Sequence, residues 1–289
     1  MRREIGLQKK LKPFITCTDY AVSGESYEVM KNQEYEMLVT SPVPVDLESY
    51  YKSEDYISHS DAKKTLLDKV YQQVRNYTLK RKVELINSFN SQEKTILDIG
   101  SGTGDFLAVC LKAQWKISGI EPNRKARNIA KSKEVFLEKK ISAFKNKKFD
   151  VITLWHVLEH VENLEAYINS LKKLLKENGT LVIAVPNFKS YDAKYYKEFW
   201  AAFDVPRHLW HFSQTSIKKL FKEVSMEIVK TLPMKFDAYY VSLLSEKYKN
   251  GKMHLLKSFW IGFQSNLKAK RTSEYSSLIY LLKNKQTPL

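Results

Sequence analysis

The stretch Leu97–Leu107, LDIGSGTGDFL, decides how the chain is read. An apolar run carrying Asp98 leads into three glycines at alternate positions, Gly100, Gly102 and Gly104. Glycine allows a tight backbone turn and lets a ligand approach where a Cβ would stand in the way. Ahead of the turn, KTILDIG reads as a short strand; behind it, residues 104–113 read as a helix. Strand, glycine turn and helix in that order open an α/β unit. In an open sheet of this class the ligand lies beyond the carboxyl ends of the strands.

The spacing narrows the ligand. A dinucleotide turn has the pattern G-x-G-x-x-G, but here the third glycine comes one residue early and Asp105 stands where it would be needed. A phosphate-binding loop requires a following Gly-Lys-Ser/Thr, which does not occur after the turn. Asp98 and Asp105 place two carboxylates near a helix N-terminus, a poor setting for pyrophosphate and a good one for a ligand with a positive end.

Outward from this turn, strands and helices alternate. WKISGIEP is a second strand and NRKARNIAKSK a helix; VFLEKKI is a short third strand and FDVITLWHVL a buried fourth. Residues 162–177 form an amphipathic helix stopped by Asn178-Gly179. TLVIAVPN, MEIVKTLPM and YSSLIYLLK complete the strands, with the helix SQTSIKKLFKEV capped by Ser213 and two helical stretches between them. The expected fold is α/β, a Rossmann-like, doubly wound sheet of seven mainly parallel strands. Ahead of this domain (93–289), residues 1–48 read as a β-hairpin around KNQE, closed by Pro42 and Pro44. Residues 49–92 read as a helical lid or linker, with Leu66, Leu67, Val70, Val74, Tyr77 and Leu85 at helical spacing and Asp61 as cap.

Composition sets outer limits. With 289 residues, 43% of them hydrophobic, the chain can bury a sizeable core. No apolar run approaches the ~18 residues of a membrane-spanning helix. MRREIGLQKKLKPF has no apolar stretch behind its charges, so no secretory signal is expected. Cys17 and Cys110 lack metal-like spacing; H-x-x-x-H (156–160) and H-x-x-H (208–211) could gather ligands but come with no acidic cluster of clear spacing, so no metal site is expected, and a cytoplasmic location fits. The formal net charge of +16 could draw a polyanion. The lysines are scattered in pairs, however, and a solvated basic surface is the favoured account.

D-x-G-x-G-x-G after the first strand resembles motif I of the class I S-adenosylmethionine (SAM)-dependent methyltransferases. FDVITLWHVLEHV (149–161) and GTLVIAVPN (179–187) are similar to that family's fourth- and fifth-strand motifs. FDVPRHLWHFS (203–213) resembles a segment of its methyltransferase-domain 23 type, related to quinone-biosynthesis and polysaccharide methyltransferases. The resemblance implies SAM as cofactor. Asp98 would orient the glycine turn or meet the methionine amine, and Gly100, Gly102 and Gly104 would admit the methionyl and ribose parts. Glu121 would accept both ribose hydroxyls. Trp155, Tyr51 and Tyr56 are assigned to the cofactor; the tyrosines and His59 of YYKSEDYISH (50–59) read either as a lid whose aromatic faces suit a sulfonium or equally as plain packing. The family's adenine-binding acid is not found, since Ser142 and Ala143 stand about where it would be. A zinc ribbon found in some relatives is not expected, Cys17 being the lone cysteine of the N-terminal segment.

For the acceptor, no D/N-P-P-Y/F follows the fourth strand and Cys110 falls inside a helix, which argues against nucleic-acid bases. His156, His160, His208 and His211 follow strands four and five, and imidazole is a natural general base near pH 7. His160 and His208 are the expected pair, with His156 beside them, titrating near pH 6–7. Arg207 and His211 are assigned to the acceptor. The expected reaction is methyl transfer to an oxygen, less so a carbon, of a small molecule or glycan precursor. An RNA or protein methyltransferase and a catalytically silent SAM-binding partner subunit remain as alternatives. Residues 237–271 read either as a substrate cover touching anionic membrane through Lys252, Lys257 and Lys268, or as helices packed on the sheet. Oligomeric state is left open.

Overall fold

Short polar turns fold the N-terminal segment into an antiparallel meander. Its strands are β1 (Leu11–Thr18), β2 (Ser26–Asn32) and β3 (Met37–Ser41). Thr18 pairs with Ser26, and Asn32 with Met37. The computed structural model describes residue 7, residues 10–51 and residues 66–285. Tyr56, His59 and Asp61 therefore lie outside the described residues. The chain forms two compact units. One comprises Met1–Lys52, Leu158–Tyr167 and Ala184–Tyr280; the other comprises Ser53–Val157, Ile168–Ile183 and Leu281–Leu289.

The remaining elements alternate as expected. They are α1 (Leu66–Asn87), β4 (Thr95–Ile99), α2 (Asp105–Lys112), β5 (Lys116–Ile120), α3 (Arg124–Lys131), β6 (Phe149–Trp155), α4 (Leu164–Leu174) and β7 (Leu175–Pro186). Then follow α5 (Tyr191–Tyr196), β8 (Trp210–His211), α6 (Gln214–Glu223), β9 (Met226–Pro233), α7 (Asp237–Asn250), α8 (Leu255–Thr272) and β10 (Ser277–Asn284). The larger sheet has the order β5-β4-β6-β7-β10-β9, and β4 is parallel to both β5 and β6. The smaller sheet has the order β1-β2-β3-β8, with Leu38 opposite His211. Ile96, Leu97, Leu107, Cys110, Val151, Ile152 and Leu154 form a buried core around β4 and β6. A second core joins Tyr27, Val29 and Leu38 of the meander to Tyr196, Trp200, Phe203 and Ile261. Both cysteines are free and buried. Burial, with a smaller push from Glu198, raises the Cys17 thiol to about 12, so it is inert at neutral pH.

Three features depart from the sequence reading. The larger sheet has six described strands rather than seven. VFLEKKI makes a single parallel bridge, Ile120 to Glu138; the exposed Lys139 and Lys140 beyond it offer nothing to bury. The meander has a strand the reading missed: β1 is mostly exposed and lacks the alternation that marks a half-buried strand. Asn178-Gly179 does not stop a helix, because α4 ends at Leu174 and both residues lie inside β7. A Cβ on Gly179 would stand 2.8 Å from Leu175 Cδ1 and 3.0 Å from the Phe149 carbonyl oxygen. Close strand approach therefore explains that glycine.

Candidate functional site

The glycine turn is built from left-handed backbone. Gly100, Gly102 and Gly104 have φ of 71°, 52° and 76°, a region costly for residues with a Cβ. Their surroundings differ. A Cβ on Gly104 would stand 2.8 Å from Ala130 Cβ and 3.2 Å from Val135 Cβ, whereas one on Gly102 would meet nothing within 4 Å. Gly104 is thus required by packing, while the space over Gly102 suits a ligand. We expect Gly104→Ala to lose more than ~2 kcal/mol of stability through strain and overpacking. Gly102→Ala should lose only about 1–2 kcal/mol from its φ yet bind SAM at least ~10-fold more weakly. Urea unfolding and calorimetry would measure both. Equal destabilisation with intact binding would contradict this division.

Glu121 follows β5 and clamps the turn. Its Oε2 accepts from Gly102 N at 2.9 Å and its Oε1 from Asn123 N at 2.8 Å. Each carboxylate oxygen has a second lone pair for a further donor. Burial pushes its pKa up, against these two backbone hydrogen bonds and the Arg127 charge, with a net rise. Asp98 is buried and accepts from Thr153 Oγ1 at 2.6 Å. Burial raises its carboxyl to about 6, against the Thr153 bond and the Lys82 charge. Asp105 is committed elsewhere: it is ion-paired with Arg75 and, at 2.8 Å, with Lys133, and takes Thr103 Oγ1 at 2.6 Å. Its charge is neutralised by Arg75 of α1 and by Lys133 beyond α3, so the sequence argument that it attracts a cationic ligand fails. Trp155 packs edge-on against Phe106, and Lys82 Nζ sits 4.1 Å from its ring centroid. Lys82 thus covers one face of the ring.

Two of the histidines following strands four and five, His160 and His208, are each held by a backbone carbonyl. His160 Nδ1 lies 3.0 Å from Tyr51 Oη and 3.1 Å from the Arg207 carbonyl oxygen. A carbonyl can only accept, so Nδ1 carries the proton and Nε2 keeps its lone pair. His208 Nδ1 likewise donates to the Ala202 carbonyl at 2.9 Å. The two rings meet edge to face with centroids 4.5 Å apart. Burial, followed by the neighbouring His208, lowers the His160 pKa to about 4 despite the charges of Glu159 and Asp204. Glu159, His160 and His208 each offer a ligand atom, all within 4.8 Å of one another. Two imidazoles and a carboxylate form a donor set that a divalent cation accepts, whereas the sequence reading expects no metal. His156 ends the β6 segment in a left-handed turn, φ 57°.

The other assignments change. Tyr51 joins the histidine group, its hydroxyl also donating to the Arg207 carbonyl at 3.2 Å. Arg207 was assigned to an anionic acceptor, but its side chain is 4% exposed and already paired. Nη2 donates to Asp204 Oδ1 at 2.6 Å and to Asp19 Oδ1 at 3.1 Å, and Nε donates to both Asp204 oxygens. His211 was also assigned to the acceptor. It is buried in β8, with Nε2 3.0 Å from Thr40 Oγ1. Thr40 uses its own proton on the His208 carbonyl at 2.6 Å, so His211 Nε2 is the donor. Burial first, then His208, lowers the His211 pKa to about 3. Arg207 and His211 therefore brace the loop that presents His208.

The sequence reading did not place Asp19, Thr40, Asp204 or Glu159 in the site. Asp204 stands three residues before Arg207, a spacing that hints at their pairing. Asp19 and Thr40 are too distant in sequence to leave any local signal. In the same unit a cavity of about 490 Å³ is lined by Val39, Val45, Leu47, Leu209 and Trp210, with Asp46 and Glu162 among its walls. Its volume suits a small organic ligand.

A family model described as a methyltransferase domain matches residues 71–231, more than half of the chain. The chain belongs to the methyltransferase-domain family. Its domain is of the SAM-dependent class, with the Rossmann-like α/β fold expected from the glycine turn. A ubiquinone biosynthesis O-methyltransferase of Pelagibacter ubique is 33% identical over 106 residues, which are 33% of this chain and 44% of that protein. Its counterpart in Rickettsia canadensis is 36% identical over 101 residues, 32% of this chain and 42% of that protein. The matched stretch is under half the length of these relatives. Magnesium protoporphyrin IX methyltransferase from Synechocystis, solved with bound SAH, is similar in fold at a TM-score of 0.55 and 16% identity, across 82% of this chain and 97% of that chain. No described helix of this methyltransferase-domain protein is long and apolar enough to cross a membrane.

Proposed function

We propose that the chain is a cytoplasmic O-methyltransferase that uses SAM to methylate a small molecule or glycan precursor, with residues 93–289 as its transfer domain. The observation that carries this reading is the left-handed glycine turn, open over Gly102 and tied to Glu121. The names of the ubiquinone biosynthesis O-methyltransferases support oxygen as the acceptor atom. The absence of a basic residue from the cavity lining, which holds Asp46 and Glu162, favours a small molecule over a polyanion.

Bound SAM supplies a methyl group on a sulfonium, a leaving group that needs no acid. The residues' work is binding, alignment and proton removal. Gly102 and Glu121 hold the cofactor, with both Glu121 oxygens fixed in place by backbone donors; Gly100, where a Cβ would stand 2.4 Å from Val157 Cγ2, is required by packing as Gly104 is. Asp98 ties the glycine turn through its carbonyl, which accepts from Ser101 Oγ at 2.8 Å, while Thr153 of β6 holds its carboxyl. His160 or His208 takes the proton of the acceptor hydroxyl at Nε2, and the carbonyls holding Nδ1 orient the two rings.

Calorimetry should show one SAM or SAH per chain with low-micromolar affinity, ~−8 kcal/mol. Glu121→Ala should weaken this by roughly 1.5–3 kcal/mol, the scale for hydrogen bonds to a charged acceptor. Absence of heat with either ligand, or tight binding of NAD, would end the reading. Labelled SAM incubated with lipid, glycan, small-molecule and RNA pools would then identify the acceptor class.

A further inference from the structure

Helix α8 presents its large apolar residues to solvent. Its buried residues are Ser258, Ile261, Gly262, Ser265 and Ala269, mostly small. Gly262 sets this orientation: a Cβ there would stand 2.8 Å from Tyr239 Cδ1 and 3.0 Å from the Ala238 carbonyl oxygen, so only glycine fits where α7 passes. At the same helical spacing on the outside stand Leu256, Phe259, Trp260, Phe263 and Leu267, of which Leu256 is 89% and Phe259 61% exposed. Met253 and Leu255 extend the stripe at its N-terminal end, both exposed. Trp260 stacks on Phe263 and Phe259 on Tyr239, with centroids 5.8 and 5.2 Å apart. Soluble monomers rarely leave a continuous apolar face of this kind uncovered.

The charge around the stripe points to its occupant. Residues 247–271 contain seven Lys or Arg and no Asp or Glu. Lys257 is paired with buried Glu246 at 3.0 Å, and Lys268 lies 3.4 Å from the Tyr191 ring centroid, so these two also serve the protein's interior. Lys252, Lys270 and Arg271 are exposed at the two ends of the stripe. A symmetric contact with a second copy would set these cations against their own kind. An anionic bilayer complements both features: acyl chains take the aromatic stripe and headgroups take the flanking cations.

We propose that α8 is a membrane-docking helix that lies in the plane of an anionic lipid surface. The proposal is independent of the methyl-transfer reading. It is tested by co-sedimentation of the full chain with vesicles of phosphatidylcholine alone or mixed with phosphatidylglycerol. Partitioning should be at least ~10-fold stronger on the mixed vesicles and should fall with added salt. The double variant Phe259→Ser/Phe263→Ser should lose at least ~10-fold in partitioning. Lys252→Gln/Lys270→Gln/Arg271→Gln should lose the preference for phosphatidylglycerol. Unchanged circular dichroism in each variant excludes unfolding as the cause. Trp260 emission should shift to the blue on vesicles, read as the difference between wild type and Trp260→Phe. No partitioning by the wild type, or unchanged partitioning by the serine variant, would overturn the proposal. A wild-type dimer that the serine variant dissociates, with no vesicle binding, would assign the stripe to a second copy instead.

Discussion

His160→Ala and His208→Ala are each expected to bind SAM within about twofold of wild type, while at least one loses ~100-fold or more in turnover. The basis is the shared arrangement of the two rings. Each has Nδ1 held by a backbone carbonyl, leaving Nε2 able to accept a proton. The pH dependence sharpens the test. A base must be neutral to act, so its rate limb lies at its pKa. The sequence alone places that limb near pH 6–7, but burial holds His160 at about 4. If His160 is the base, activity should persist as pH falls through 6 and decline only as it approaches about 4. A lower pKa also makes a weaker base, which costs part of the gain. Full turnover in both single variants would show that alignment alone drives the reaction. Loss of activity on chelation, restored by a divalent cation, would instead make these histidines ligands.

Arg207→Met should destabilise the protein by about 3–5 kcal/mol, the range for breaking a buried ion pair from one side. The Asp19 side chain has no exposure, and besides Arg207 it accepts the backbone N–H groups of Ala21, Val22 and Ser23. Removing the guanidinium leaves that carboxylate buried without its counter-charge. Asp204 loses its bidentate partner as well. Urea unfolding would measure the loss, and adding Asp19→Asn to Arg207→Met should recover part of it by removing the stranded charge. A cost below ~1 kcal/mol would mean that solvent reaches this pair and that Arg207 is available for other roles.

The glycine turn was legible because strand, turn and helix are contiguous and the left-handed positions demand glycine. Glu121 was legible for a similar reason, standing one residue past β5. The roles of Arg207 and His211 were not. Both are polar residues in a loop, a pattern shared by residues that bind a ligand and residues that brace the chain. The difference lies in Asp19 and Thr40, whose nearness is a property of the fold. The α8 surface was half legible. Its lysines stand out in the sequence, but only packing at Gly262 shows which side of the helix faces out.

The pairing of β3 with β8 bears on how the chain is made. Asp19 meets Arg207 across 188 residues, and Thr40 meets the His208 carbonyl across 168. At a synthesis rate of ~5–20 residues per second, the meander leaves the ribosome about 10–40 s before its partners exist. Through that interval β3 offers an open edge and Asp19 an unmatched charge, the kind of surface that nascent chains pair wrongly. Slower translation would lengthen this exposure, so yield in the cell should depend on chaperone supply as well as on the stability of the finished protein.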